Sequence, residues 1–198
     1  LTTKPDSMIV LGGGPIGCEL GQALGRLGVK ITIVQNGAQL LPPEDPDVAE
    51  FVQQRFAAEG IDVRLKANAT RVSRQDGKIT LEFGEGASIT ADALLISAGR
   101  TPNLRALGLE AAGVEYNEHG VKANEYLQTS QPHIYAAGDI TNRLKFNHTA
   151  DFTARPVIRN ILMPLSFLRQ KMDLSVVPWC TYTEPEVAHV GLGEKEAK

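Results

Sequence analysis

The first sixty residues alternate between short apolar runs and longer stretches of helical period. "SMIVLGG" (7–13) is rich in branched residues, as a strand buried on both faces of a parallel sheet requires. "PIGCELGQALGRLG" (15–28) places Ile16, Leu20, Ala23, Leu24 and Leu27 at helical spacing, with Gly28 as a stop. "VKITIVQ" (29–35) then alternates like a second strand, and the three pieces together predict a βαβ crossover. "PEDPDVAEFVQQRFAAEG" (43–60) predicts a second helix, capped by Asp45 or Asp47 and ended by Gly60. Val48, Phe51, Val52 and Phe56 are expected to face its core.

Four short runs follow: "IDVRLKA", "ATRVSRQ", "KITLEF" and "SITADALLISAG". The "QDGK" turn between two alternating runs is a strong hairpin signal. The pattern predicts a three-stranded antiparallel meander over roughly Ile61 to Thr90, then a buried return strand in "ALLIS" that ends in "AGRTPN". Further on, "HIYAAGDITN" predicts another short strand. "NHTADFTARPVIRNIL" predicts a helix with Ala150, Ala154, Val157, Ile158 and Ile161 broadly on one side and Pro156 placed to kink it. "LMPLSFLRQKMD" has the character of a loop, and "VVPWCTYTEPEVAHVGL" opens another strand-rich element.

Composition narrows the classes. The chain has 198 residues, 42% hydrophobic and 22% charged, which is the balance of a globular protein. A net charge of −3 leaves no basic footprint for nucleic acid. No apolar run reaches the ~20 residues of a membrane span, and no signal peptide opens the chain. Cys18 and Cys180 are far apart and make no metal-ligand spacing, so both are expected to be buried, inert thiols in a cytoplasmic protein. The chain opens on Leu1 and closes on "GLGEKEAK", so a fragment of a longer protein is expected.

The candidate chemistry lies at the strand ends. Gly12, Gly14 and Gly17 fit G-x-G-x-x-G, with Pro15 and Ile16 between them. In such a loop the first glycine allows the tight turn, the second lets backbone approach a pyrophosphate, and the third lets helix and strand pack closely. Helix N-terminal amides then hold the anion. About ~20 residues on, an acid normally holds the ribose 2′-hydroxyl of NAD, or an arginine accommodates the 2′-phosphate of NADP. Gln35 and Asn36 stand there instead. Gln35 is either a hydroxyl reader or a polar strand end; its amide cannot neutralise a phosphate. No Lys or Arg occurs from Ile31 to Gln54, so NAD(H) is favoured over NADP(H). Gly99 would let backbone approach a ligand, and Arg100 either meets a phosphate or ribose or lies in a surface turn. Asp139, after Gly138, either serves ligand hydroxyls or caps a turn. His148 is read as a capping or packing residue sooner than a base.

"GGGPIGCELG", "SAGRTPN", "TSQPHIYAAGD" and "TYTEPEVAHVGL", in this order, resemble the flavin-dependent pyridine nucleotide–disulfide oxidoreductases, within the dihydrolipoamide dehydrogenase and mercuric reductase branch. The resemblance covers nearly the whole chain. It implies an α/β fold: a Rossmann-like NAD(P) domain at 5–102, a returning part of an FAD domain at 103–162, a linker at 163–175 and the start of a dimerisation domain at 176–198. It implies FAD in the complete enzyme and a homodimeric parent. The acceptor would be a small molecule, thiol, disulfide or metal, and no metal site would lie in this chain. By the same resemblance Glu19 lies close to the flavin–nicotinamide contact, and Gly99 and Arg100 belong to an "ATGR"-like segment. Asp139 holds the ribityl chain, and His148, Thr149 and Ala150 start a helix beneath the flavin. The N-terminal FAD-binding unit, the redox CxxxxC and the C-terminal His-Glu pair have no counterpart here. The chain is therefore expected to bind NAD(H) without turnover. The alternative is a non-catalytic Rossmann-type nucleotide-sensing module.

Overall fold

A computed structural model describes residues 2–84, 86–141, 144–163 and 165–198. Leu1, Asn142 at the end of the expected strand and Pro164 within the expected linker fall outside them. The chain divides into two compact units, 1–99 with 178–198, and 100–177.

The first unit is built on a four-stranded parallel sheet. Its strands are β1 (Ser7–Leu11), β2 (Lys30–Val34), β3 (Asp62–Arg64) and, after the meander, β7 (Ala93–Ile96), in the order β3-β2-β1-β7. Helix α1 (Pro15–Arg26) joins β1 to β2, and α2 (Pro46–Ala58) joins β2 to β3. The meander is β4 (Ala69–Gln75), β5 (Lys78–Phe83) and β6 (Ala87–Ala91), antiparallel throughout. Its first turn holds Asp76 and Gly77 at φ 51° and 79°, the two left-handed positions that a type I′ hairpin needs.

Alternation along β1 sorts side chains to two cores. Met8 and Val10 join Ile31, Ile33, Val52 and Phe56 on the helix side. Ile9 joins Val34, Leu81 and Ala91 on the meander side. Asp92, before β7, accepts from the Ser7 amide and hydroxyl and pairs with Lys78; these contacts hold its carboxyl down at about 2.

Several local expectations change. The run "IDVRLKA" was expected in the meander, but β3 pairs parallel with β2 and belongs to the main sheet. In α1 the buried face is Gly17, Cys18, Gly21 and Gln22, while Ile16 and Leu20, and Leu27 just past the helix end, are exposed. Small residues allow the helix to lie close on the sheet: a Cβ on Gly21 would sit 3.3 Å from Ile33 Cδ1. Phe51 of α2 is exposed, whereas Val52 and Phe56 are fully buried. Asp45 precedes α2 without capping it; its carboxylate accepts the Glu194 amide instead. Ile96, at the end of β7, is also exposed.

The second unit contains the two-residue strands β8 (Tyr116–Asn117) and β9 (Gly120–Val121), a 3-10 turn at Gly138–Ile140, helix α3 (Asn147–Leu162) and a second 3-10 turn at Ser166–Leu168. Leu109, Val114, Val121 and Ala136 form its core. The described residues of "HIYAAGDITN" make no strand: Tyr135 forms one isolated bridge with Gln128, and the chain then turns at Gly138. In α3 the buried residues are Thr149, Thr153, Pro156 and Asn160, while Ile158 and Ile161, read as lying on one apolar side, are exposed. Pro156 lies within α3, which continues past it to Leu162.

The tail returns to the first unit as β10 (Trp179–Thr181), β11 (Val187–His189) and the single turn α4 (Glu194–Ala197). Val187 joins the helix-side core. Gln22 grips the tail's backbone twice, donating to the Glu184 carbonyl at 2.9 Å and accepting its amide at 2.7 Å.

Candidate dinucleotide site

The carboxyl ends of β1, β2 and β7 open on one cleft of about 430 Å³, within the range of small-ligand and cofactor sites. Gly12, Gly14, Gln35, Asn36 and Gly99 all line it. Pro42, Asn68 and Ser97 line it too, and the sequence reading had not assigned them to a site. Asn68 arrives because β3 pairs with β2, a contact that no local pattern announces. Ser97 carried a weak signal in its place beside Ala98 and Gly99.

Each glycine of the loop has its own physical reason. Gly12 takes φ +110°, and a Cβ there would lie 2.5 Å from the Ser97 carbonyl oxygen. A Cβ on Gly17 would lie 2.0 Å from the Gly12 carbonyl oxygen, so the helix start closes onto the loop. A Cβ on Gly14 would meet nothing within 4 Å. Among the described residues, no neighbour requires glycine there. Gly14 is also the N-cap of α1, Pro15 begins the helix, no side chain caps its amides and no acid sits in its first turn. That arrangement leaves the end of the helix dipole available to an anion.

The Ser97 hydroxyl lies 3.1 Å from the Leu11 carbonyl oxygen and 3.0 Å from that of Gly12, and donates to this pair. Gln35 is buried, and its amide is engaged within the protein. Its Oε1 accepts the Gly13 amide at 3.1 Å, and its Nε2 donates to the Gln39 carbonyl at 3.3 Å. Asn36, next along, is exposed at the cleft. The fold also brings the backbone of Lys66 beside this loop: the Lys66 amide donates to the Gly37 carbonyl at 2.8 Å. On α1, the Glu19 carboxylate accepts the Tyr182 amide of the tail at 2.9 Å. Cys18 is buried, and desolvation, reinforced by Glu19, pushes its thiol up to about 12, so it is inert. Cys180 is only partly buried, against expectation, and its pKa is raised by desolvation and by Glu186 and Glu19.

The remaining candidate residues cluster in the second unit. Arg100 lies 3.9 Å from Asp139, both about half exposed at 50% and 51%. Gly138 donates its amide to Thr153 Oγ1 at 2.9 Å, which ties the Asp139 turn to α3. His148 is exposed and stacks on Phe146. Thr149, in the first turn of α3, has a buried hydroxyl with no partner among the described residues. Among the described residues no group of His, Cys, Asp and Glu could hold a metal ion. No helix described is long and apolar enough to cross a membrane.

Residues 1–154 match the family described as pyridine nucleotide-disulphide oxidoreductase. The chain belongs to that family. Members similar to it include a dihydrolipoyl dehydrogenase of Bacillus subtilis, 34% identical over all of this chain and 43% of the relative. A mercuric reductase of Staphylococcus aureus is 37% identical over all of this chain and 36% of its own length. Among solved family structures, the HOCl-induced flavoprotein disulfide reductase RclA from Escherichia coli superposes with a TM-score of 0.90 at 30% identity. That match covers 100% of this chain and 45% of the neighbour. The chain thus spans less than half the length of the family members named here.

Proposed function

We propose that this chain is the pyridine-nucleotide half of an FAD-dependent NAD(P)H oxidoreductase, and that it takes NAD(H) in preference to NADP(H). The single observation that carries the reading is Gly14: an uncrowded glycine at an uncapped helix N-terminus, facing a cleft at the ends of three parallel strands. Gly12, Gly14 and Gly17 with the first-turn amides of α1 would hold the pyrophosphate. Gly99 would allow close approach from the β7 side. Asn36, free of the commitments that occupy Gln35, would meet the ribose hydroxyls.

The second unit fits a flavin in one respect. The orphaned Thr149 hydroxyl is a buried polar atom that a ligand's polar edge would satisfy. Asp139, half exposed after Gly138, offers a carboxylate to ligand hydroxyls, with Arg100 beside it. When bound, FAD would supply the redox chemistry, accepting reducing equivalents from the nicotinamide and handing them to a thiol, disulfide or metal acceptor. The protein's part is to bind the donor, exclude water from the cleft and orient Glu19, which is held in place by the Tyr182 amide.

Parallel NADH and NADPH titrations of the purified chain, by calorimetry at fixed salt, test the reading. NADH is expected to bind at least about tenfold tighter than NADPH. Tighter NADPH would mean that a cation from elsewhere in the fold reaches the site, and would reverse the preference. Binding of neither would remove the dinucleotide reading.

A further inference from the structure

Away from the cleft, a buried cluster joins the tail to the loop between β2 and α2. The side chains of Glu44 and His189 are 5% and 12% exposed. Glu44 Oε1 accepts Trp179 Nε1–H at 2.7 Å, and Oε2 lies 3.0 Å from His189 Nδ1. The other ring nitrogen, Nε2, lies 3.0 Å from the Gly191 carbonyl oxygen. Trp179 and His189 are register partners across β10 and β11, and their rings stack with centroids 3.9 Å apart. Both imidazole nitrogens face acceptors, a carboxylate and a carbonyl. Only the imidazolium, with two N–H donors, satisfies both.

The loop gripped in this way runs directly into the nucleotide cleft. The Glu44 carbonyl accepts Gln39 Nε2 at 2.9 Å, and the Gln39 carbonyl accepts Gln35 Nε2 at 3.3 Å. Gln35 Oε1 then holds the Gly13 amide, and the Gly13 carbonyl accepts the Leu41 amide at 2.8 Å. A continuous run of hydrogen bonds therefore links His189 to the glycine loop. Resting on the dinucleotide reading above, we propose that Glu44 and His189 are positioning residues for the nucleotide site. They form a proton-held latch by which the tail fixes the loop that shapes the cleft.

The ionised groups facing His189 from the loop are Glu44 and Asp45, both acids. β10 contributes Trp179 and Cys180, neither charged; on its own strand side Glu186 precedes it, and the following turn carries Glu194, which is paired with Lys198. Burial alone would lower the His189 pKa. The hydrogen bonds to Glu44 and Gly191 and the two nearby carboxylates outweigh it, and the net shift is upward. A histidine with a raised folded pKa contributes fully below its ordinary value of about 6.5 and loses that contribution as pH rises through the folded value. The latch is held at acidic pH and released as pH rises through the raised folded value of His189.

Two probes separate the latch from the nucleotide reading. Trp179 is the one tryptophan of the chain, so its emission reports the cluster without nucleotide. NADH affinity reports the cleft. In the wild type, the Kd for NADH is expected to rise about five- to tenfold between about pH 6.5 and about pH 9. Tryptophan emission should titrate over the same range. His189→Arg keeps a cation on Glu44 throughout and should flatten both profiles; Arg does not deprotonate in this range. His189→Gln should weaken NADH at both pH values while circular dichroism shows the chain folded. A wild-type Kd that does not change with pH, or a pH dependence that persists in His189→Arg, overturns the latch. Absence of NADH binding at either pH overturns the dinucleotide reading instead, and the tryptophan titration tells the two failures apart.

Discussion

The glycine loop of the first unit and the Gly138–Asp139 turn of the second are both small-residue turns next to a helix, yet they are built differently. In the loop, protein atoms crowd Gly12 and Gly17 and leave only Gly14 open. Its neighbours Gln35 and Ser97 spend their side chains on the backbone of the loop itself. At the other turn, the side chains face outward or stand alone: Asp139 and Arg100 are half exposed and Thr149 is unsatisfied. The first turn is closed by protein atoms except at Gly14; the second leaves one buried hydroxyl without a partner among the described residues and its charged side chains half exposed. Burial also differs between the sheet of the first unit and α3 of the second. Phe56, Ile9, Ile31 and Ile33 are fully buried in the first unit, whereas α3 of the second exposes Phe152, Ile158 and Leu162. An uncrowded glycine and an orphaned hydroxyl both point to ligands, but the first does so from within a finished core.

If that contrast holds, the largest single effect should come from the finished core. Phe56→Ala should cost about 3–5 kcal/mol of stability, read by urea unfolding, because its side chain is completely enclosed. A loss under about 1 kcal/mol would mean that the helix-side core is loosely packed. Next, Gly14→Val should weaken NADH about a hundredfold, near 2.7 kcal/mol, while changing stability by less than about 1 kcal/mol. Intact affinity would show that the gap is not where the pyrophosphate lies. In the second unit, Asn160→Ala should cost about 2 kcal/mol in thermal unfolding. Asn160 is 1% exposed and its amide joins Tyr126 to Gln170 through three hydrogen bonds. Smallest of all, Ile158→Glu on the outward face of α3 should shift stability by less than about 0.5 kcal/mol. A large loss there would mean that this face is covered in the chain as it exists in solution.

Much of the first unit was legible in the sequence. Branched runs, the glycine spacing and the Asp76-Gly77 turn each carry a local physical cause, and β1, α1, β2 and the meander follow from them. What failed was less local. The burial of α1 depends on how closely a helix can approach a sheet, so Gly17 and Gly21 face inward and Ile16 and Leu20 do not. β3 carries too few residues for its period to distinguish a parallel partner from a meander neighbour. Around Gly138 the small residues read as a strand end, but the backbone turns at φ +74° and no ladder forms. The glycines of the site could be named from spacing. The engagement of Gln35 with Gly13, and the grip of Glu44 on Trp179 and His189, join residues 22, 135 and 145 positions apart, and no pattern in the chain foretells them.

The Ser97 hydroxyl has a consequence for the order in which this protein becomes functional. It bonds to carbonyls 86 and 85 residues away, at the end of the last strand to join the sheet. The glycine loop precedes Ser97 in the chain by the whole of α1, β2, α2, β3 and the meander, so its brace is made only once β7 is in place. Contacts of such long sequence separation form slowly, because a long loop must close before they are rewarded. If the dinucleotide reading holds, a nascent chain carries the glycine loop well before the loop is braced, and ligand affinity reports the docking of β7. Amide exchange in Leu95 and Ile96 should slow when NADH is present, although neither residue lines the cleft.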